Sequence, residues 1–177
     1  VAVEWGSVRL LRNDAGKFSD WNPSIRWQRS FADAPATLSA LLGWWTSVTA
    51  GDFDGDGRQD LVLGNWGTNH KFQRDLSFRH PRSLYYGDLD ESGTVDLIEA
   101  VFSPELGVEV PERGYLAAVE AMPFIRETVE TFEGYGTNSL AGIYGDRLQR
   151  GARVQVNTLT SVLLLNRGEH FEVRPLP

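Results

Sequence analysis

The chain has 177 residues, 41% of them hydrophobic, a formal net charge of −7 and no cysteine. That length and apolar share support a folded core and argue against disorder, while the acidic balance disfavours a nucleic-acid partner. Disulfides, thiolate metal sites and a cysteine nucleophile are excluded, and apolar stretches such as 162–165 are far too short for membrane insertion.

Val1-Ala2-Val3-Glu4-Trp5 reads as the middle of a strand, and residues 7–12 as a second, with Gly6 between them. Asn13-Asp14-Ala15-Gly16 is a turn, and Lys17-Phe18-Ser19 starts the next strand. Pro23 and Pro35 limit regular structure over 20–43. Two apolar β-rich runs, 44–50 and 61–65, flank a first acidic loop; 83–87 and 95–102 flank a second, after a polar connection over 67–82. Helical spacing then appears over 115–131, at Leu116, Val119 and Met122 and again at Ile125, Val129 and Phe132, with a break at Pro123. Asn138-Ser139 caps a further helix through Leu148, with Leu140, Ile143 and Leu148 facing inward. Strands return at 153–157, 161–166 and 171–175. The expected order is blade-like strands over 1–103, a helical insertion over 111–150 and strands again over 151–177. Both ends read as the interior of a longer chain, so targeting information is expected elsewhere.

The first acidic loop is Asp52-Phe53-Asp54-Gly55-Asp56-Gly57-Arg58-Gln59-Asp60. Carboxylates at positions 1, 3, 5 and 9 converge if Gly57 turns the backbone sharply, and the Arg58 backbone carbonyl supplies position 7. Calcium takes six to eight oxygens at about 2.3–2.6 Å in a flexible cage, and this spacing provides most of them. Solvated acids in an Asx-turn would repel one another without a cation. The second loop, Asp88-Leu89-Asp90-Glu91-Ser92-Gly93-Thr94-Val95-Asp96, has Ser92 at position 5 and the Thr94 carbonyl at position 7. With one carboxylate fewer it is expected to bind calcium more weakly. Glu99 at position 12 also satisfies the EF-hand register, but an EF-hand needs a helix on each side, and these flanks read as strands.

Gly51-Asp52-Phe53-Asp54-Gly55-Asp56-Gly57 followed by Asp60-Leu61-Val62-Leu63-Gly64 resembles the FG-GAP (VCBS-type) repeat, and Tyr86-Gly87-Asp88-Leu89-Asp90 onward resembles a diverged copy. Val8 to Asn13 with Gly16-Lys17-Phe18, and Val162 to Gly168 with His170-Phe171, resemble each other and the hairpin that closes blades in these repeats. The resemblance implies calcium held in β-propeller hairpins, as in integrin α-chain heads, and is nearest to exported bacterial multi-repeat proteins related to the cartilage acidic protein group. The fold expected is therefore mainly β with a helical insertion, a partial, open propeller. Two calcium ions are the expected cofactors.

A non-catalytic scaffold or adhesion module is the favoured reading. Its ligand would be a protein or glycan, its location extracellular, periplasmic or cell-surface, and its exposed strand edges would pair two copies as a homodimer. The alternative is a piece of a calcium-bearing propeller enzyme resembling polysaccharide lyases. His70, His80 and His170 lie in separate polar contexts, Trp44, Trp45 and Trp66 read as packing, and Arg79, His80 and Arg82 read as a solvated basic loop.

Overall fold

The computed structural model describes residues 1–177. Thirteen strands and four short α-helices fall into two compact units: Val1–Arg79 with Val156–Pro177, and His80–Gln155. No Pro-, Gly- or Ser-rich linker marks this division in the sequence.

The strands of the first unit are β1 (Gly6–Ser7), β2 (Leu10–Asp14), β3 (Lys17–Trp21), β4 (Ser24–Trp27), β5 (Leu42–Gly43), β6 (Trp45–Gly51) and β7 (Asp60–Asn65). Those of the second are β8 (Arg82–Gly87), β9 (Asp96–Ser103), β10 (Val108–Pro111) and β11 (Ala152–Val156), whose last residue returns the chain to the first unit. There β12 (Val162–Asn166) and β13 (His170–Pro175) complete it. The sheets are open, with no closed barrel.

The expectation of a strand over residues 1–5 is corrected. Glu4 and Trp5 form a turn, with Trp5 at φ 55°, and no strand precedes Gly6. Isolated bonds hold the segment instead, from Arg9 N to the Val1 carbonyl (3.0 Å) and from Trp45 N to the Val3 carbonyl (3.3 Å). Alternation of apolar residues reports two faces but not a pairing partner, and here no continuous ladder forms.

The two similar Leu-rich hairpins share a register. β2 pairs with β3 so that Asn13 lies opposite Phe18, and β12 pairs with β13 so that Asn166 lies opposite Phe171. In each, the asparagine Oδ1 accepts a bond from a turn glycine, Gly16 N at 2.8 Å and Gly168 N at 2.9 Å. The strand register therefore repeats, while the turn bond spans three residues in the first hairpin and two in the second.

In the five-stranded sheet the order is β4-β13-β12-β7-β6. Its last four members form an antiparallel meander in space, although the β7–β12 connection carries the whole second unit. β4 joins parallel to β13, pairing Ile25 with Phe171. The inward residues Leu63, Val162, Leu164, Phe171 and Val173 alternate along their strands and pack with Val8, Ile25, Leu38, Leu41 and Trp45.

The second unit packs the sheet β10-β9-β8-β11 with α1 (Tyr115–Ala121), α2 (Ile125–Thr128), α3 (Phe132–Thr137) and α4 (Leu140–Tyr144). Thr131 and Ser139 cap α3 and α4, accepting bonds from Gly134 N and Gly142 N, each at 3.0 Å. Tyr85, Ile98 and Ala100 of the sheet share one core with Val119, Met122, Ile125, Leu140, Ile143 and Tyr144. The helical spacing expected over 115–131 misassigns Leu116 and Phe132, which are exposed, and the helix expected through Leu148 ends at Tyr144, where the positive φ of Gly145 passes the chain into a 3-10 turn over Gly145–Arg150. Breaks at Met122–Pro123 and Val129 give each short helix its own inward face. No helix is long and apolar enough to cross a membrane.

Candidate metal centre

Each acidic loop closes a tight hairpin. β6 and β7 meet at Gly51 opposite Asp60, and β8 and β9 meet at Gly87 opposite Asp96, so both loops span the same number of residues in the same register. Their backbones match as well. Position 6 is Gly57 at φ 84° and Gly93 at φ 83°. A side chain would meet nothing within 4 Å at either, so glycine serves conformation there and not space. Position 4 takes the same left-handed conformation with different chemistry: Gly55 at φ 77° and Glu91 at φ 64°.

Two bonds recur in both loops. Phe53 N and Leu89 N donate to the position-9 carboxylates, reaching Asp60 Oδ2 at 2.9 Å and Asp96 Oδ2 at 3.0 Å. Gly57 N and Gly93 N donate to the position-1 carboxylates, Asp52 Oδ2 at 2.9 Å and Asp88 Oδ2 at 3.1 Å. These bonds aim the acids inward. Carboxylate oxygens of Asp52, Asp54 and Asp60 lie within 4.8 Å of one another, and so do those of Asp88, Asp90 and Asp96. Like charges about 4 Å apart repel by ~1 kcal/mol per pair even in water.

Position 5 does not join either trio. Asp56 is ion-paired with Arg58 and lies 3.3 Å from Arg167 Nη1. Ser92 Oγ shares a 2.8 Å hydrogen bond with Thr94 Oγ1. Arg58 N donates to Asp56 Oδ1 at 2.9 Å.

Beyond this shared plan the loops are held differently. Asp60 is fully buried, and its second oxygen accepts a bond from Asn166 N at 2.8 Å. The β12–β13 turn therefore sits directly on the first loop. Arg58 Nε donates to the Asn166 carbonyl at 2.7 Å, and Asn166 Nδ2 to the Gln59 carbonyl at 3.2 Å. From that turn Arg167 Nη1 reaches Asp54 Oδ2 at 2.6 Å, while its Nε reaches Glu172 Oε2 at 3.2 Å. The hydrogen bond from Arg167 holds the Asp54 carboxyl below the usual range. Arg174, and then Arg167, do the same for Glu172.

The second loop is held by its position-2 side chain. Leu89 is wholly buried in the core of its unit, whereas Phe53 at the same position of the first loop is half exposed. Arg150 contacts the Leu89 carbonyl and the Glu91 carboxylate, each at 3.4 Å, and neither belongs to the converging trio.

The donor set suits a hard cation. Each carboxylate oxygen accepts two hydrogen bonds or ligands at most, and both Asp60 oxygens carry one backbone bond, which leaves a lone pair on each. All-oxygen coordination by flexible carboxylates is what calcium selects.

Residues 1–63 match the family model for the FG-GAP-like repeat. This FG-GAP-like span contains the β2–β3 hairpin and the whole first acidic loop, and stops short of the second, whose likeness to the first rests on register, φ angles and hydrogen bonds. No curated protein and no solved structure matches the chain.

Arg167 and Asn166 are the site residues that local spacing misses, since they lie more than a hundred positions from the loop they contact. No feature of residues 52–60 signals a distant arginine. Among the other residues singled out, the basic loop is corrected. Arg82 is buried and paired with Glu112 at 2.9 Å, and His80 stacks on Phe102 with ring centroids 3.7 Å apart. Trp45 is buried, while Trp44 packs between Trp5 (5.2 Å) and Trp66 (4.3 Å). Glu99 is a β9 strand residue outside the trio.

Proposed function

We propose that this chain is a non-catalytic calcium-binding module of β-propeller type. The observation that carries the reading is the twinned geometry: two hairpins with the same register and the same glycine-dependent turn, each converging three aspartates. In the first, Asp52, Asp54 and Asp60 hold the ion, with Asp56 and the Arg58 carbonyl completing the shell. In the second, Asp88, Asp90 and Asp96 do so with Ser92 and the Thr94 carbonyl. Bound calcium neutralises the clustered acids, and the chain's own contribution is to hold them in place through the bonds from Phe53, Gly57, Leu89 and Gly93.

On this reading β6, β7, β12 and β13 are one four-stranded blade with a unit inserted in its middle connection. The FG-GAP-like match supports this assignment, and the register shared by the Leu-rich hairpins supports it further. A scaffold or adhesion role follows, with a protein or glycan ligand, a setting outside the cytoplasm as in exported bacterial multi-repeat proteins, and pairing of two copies at exposed strand edges.

Thermal melts of metal-stripped protein test this. A ligand that binds only the folded state stabilises it by mass action, about 2.7 kcal/mol at a hundredfold excess over Kd. Calcium is expected to raise Tm by several degrees and magnesium much less, because magnesium demands a tight octahedron and keeps its waters. An identical melt with and without calcium contradicts the reading.

A further inference from the structure

Counting carboxylates ranks the first loop as the stronger calcium site. The side-chain contacts oppose that ranking. Arg167 comes from the β12–β13 turn, and Asn166 fixes the turn in place through both its backbone groups. The Arg167 guanidinium is only a quarter exposed, and it bonds Asp54, a member of the converging trio, at 2.6 Å. It also reaches Asp56 at 3.3 Å, so the carboxylate that distinguishes this loop from the other is already shared with arginine. The second loop has no counterpart to this contact, since Arg150 meets Glu91 and a backbone carbonyl instead.

We infer that Arg167 is a built-in cation that competes with the metal for Asp54 and Asp56 and sets the calcium affinity of the first loop below that expected from its four carboxylates. The inference rests on the calcium reading proposed above. An Asp54 oxygen that accepts a short charge-assisted bond has less to give a metal, and the fixed positive charge beside the trio repels a divalent ion. Glu172 supports the same exchange. It accepts from Arg167 at 3.2 Å and from Arg174 at 2.6 Å, which keeps a carboxylate beside Arg167 when the metal takes Asp54. The result is a site whose occupancy is tuned from another hairpin. Because the pairs are partly exposed, added salt weakens this competition.

The test isolates the first loop with Asp90→Asn, which removes a second-loop ligand, and titrates calcium by calorimetry with and without Arg167→Gln. Arg167→Gln is expected to tighten binding by roughly tenfold, as loss of one unit charge about 4 Å from a divalent ion implies at the dielectric of water with physiological salt. Arg167→Lys falls between the two, and Arg150→Gln leaves the first loop unchanged. As a second readout, Arg167→Gln gives a lower Tm in chelator and a larger calcium-induced rise in Tm than the Asp90→Asn protein. Unchanged or weaker calcium affinity in Arg167→Gln, in protein that melts cooperatively, overturns the role of Arg167 and leaves the calcium reading standing. Absence of calcium binding in every variant overturns the calcium reading itself, and this inference with it.

Discussion

The two acidic hairpins share a backbone and a pattern of aspartates, yet each is anchored by what the other lacks. The first is held by polar contacts: the buried Asp60 carboxylate, bonded from its own loop and from Asn166, with Arg167 across the acids. The second is held by Leu89, sunk in an apolar core, and its Asp96 is only half buried, with one loop bond from Leu89 N. A loop that supports itself on charged contacts ties its stability to its ionic surroundings. A loop that also hangs from a buried leucine does so less. The same arrangement of aspartates is therefore held by different contacts in the two units.

Crossed alanine substitutions sharpen this contrast most. Leu89→Ala is expected to cost about 2–5 kcal/mol, as truncation of a fully buried leucine does. Phe53→Ala, at the same loop position, is expected to cost under ~1 kcal/mol because the ring is half in solvent. The order inverts at position 9. Asp60→Ala strands two backbone donors and is expected to cost about 2–3 kcal/mol, against about 1 kcal/mol for Asp96→Ala. Denaturant unfolding in chelator measures all four. Equal costs across each pair would mean that the two anchors are not distinct.

A smaller effect probes what the loops share. Position 4 is left-handed in both, which glycine adopts freely and glutamate does not. Gly55→Glu is expected to destabilise by about 1 kcal/mol, and Glu91→Gly to stabilise by up to ~1 kcal/mol, offset in part by the added freedom of the unfolded chain. Equilibrium unfolding of the two variants reads this directly. Effects of the same sign in both would show that the backbones do not match.

Much of this was legible in the sequence where the determinants are local. Asp spacing, Gly57 and Gly93 define the loops within nine residues, and the Asn–Phe hairpins within six. Ser139 and Pro123 likewise mark the start of one helix and a break before another. Long-range pairing escaped. Nothing in Ser24–Trp27 announces a parallel partner at His170–Pro175, and nothing near Asp54 points to Arg167. The strand expected over residues 1–5 failed for the same reason, since its pattern was right for a sheet that no neighbour supplies. Leu116 and Phe132 failed differently: Leu116 lies within α1, whose inward face carries Tyr115, Ala118 and Val119 instead, and Phe132 opens α3, where a period carried across the break at Val129 no longer holds.

Whether both loops bind calcium is decided by counting ions. Metal-stripped protein is dialysed to equilibrium against calcium and the bound ion is quantified per chain, for the natural sequence, for Asp54→Asn and for Asp90→Asn. Two ions per chain are expected in the first case and one in each variant, at calcium concentrations that just saturate the natural sequence. No bound calcium in the natural sequence, or a count that neither substitution changes, would contradict it.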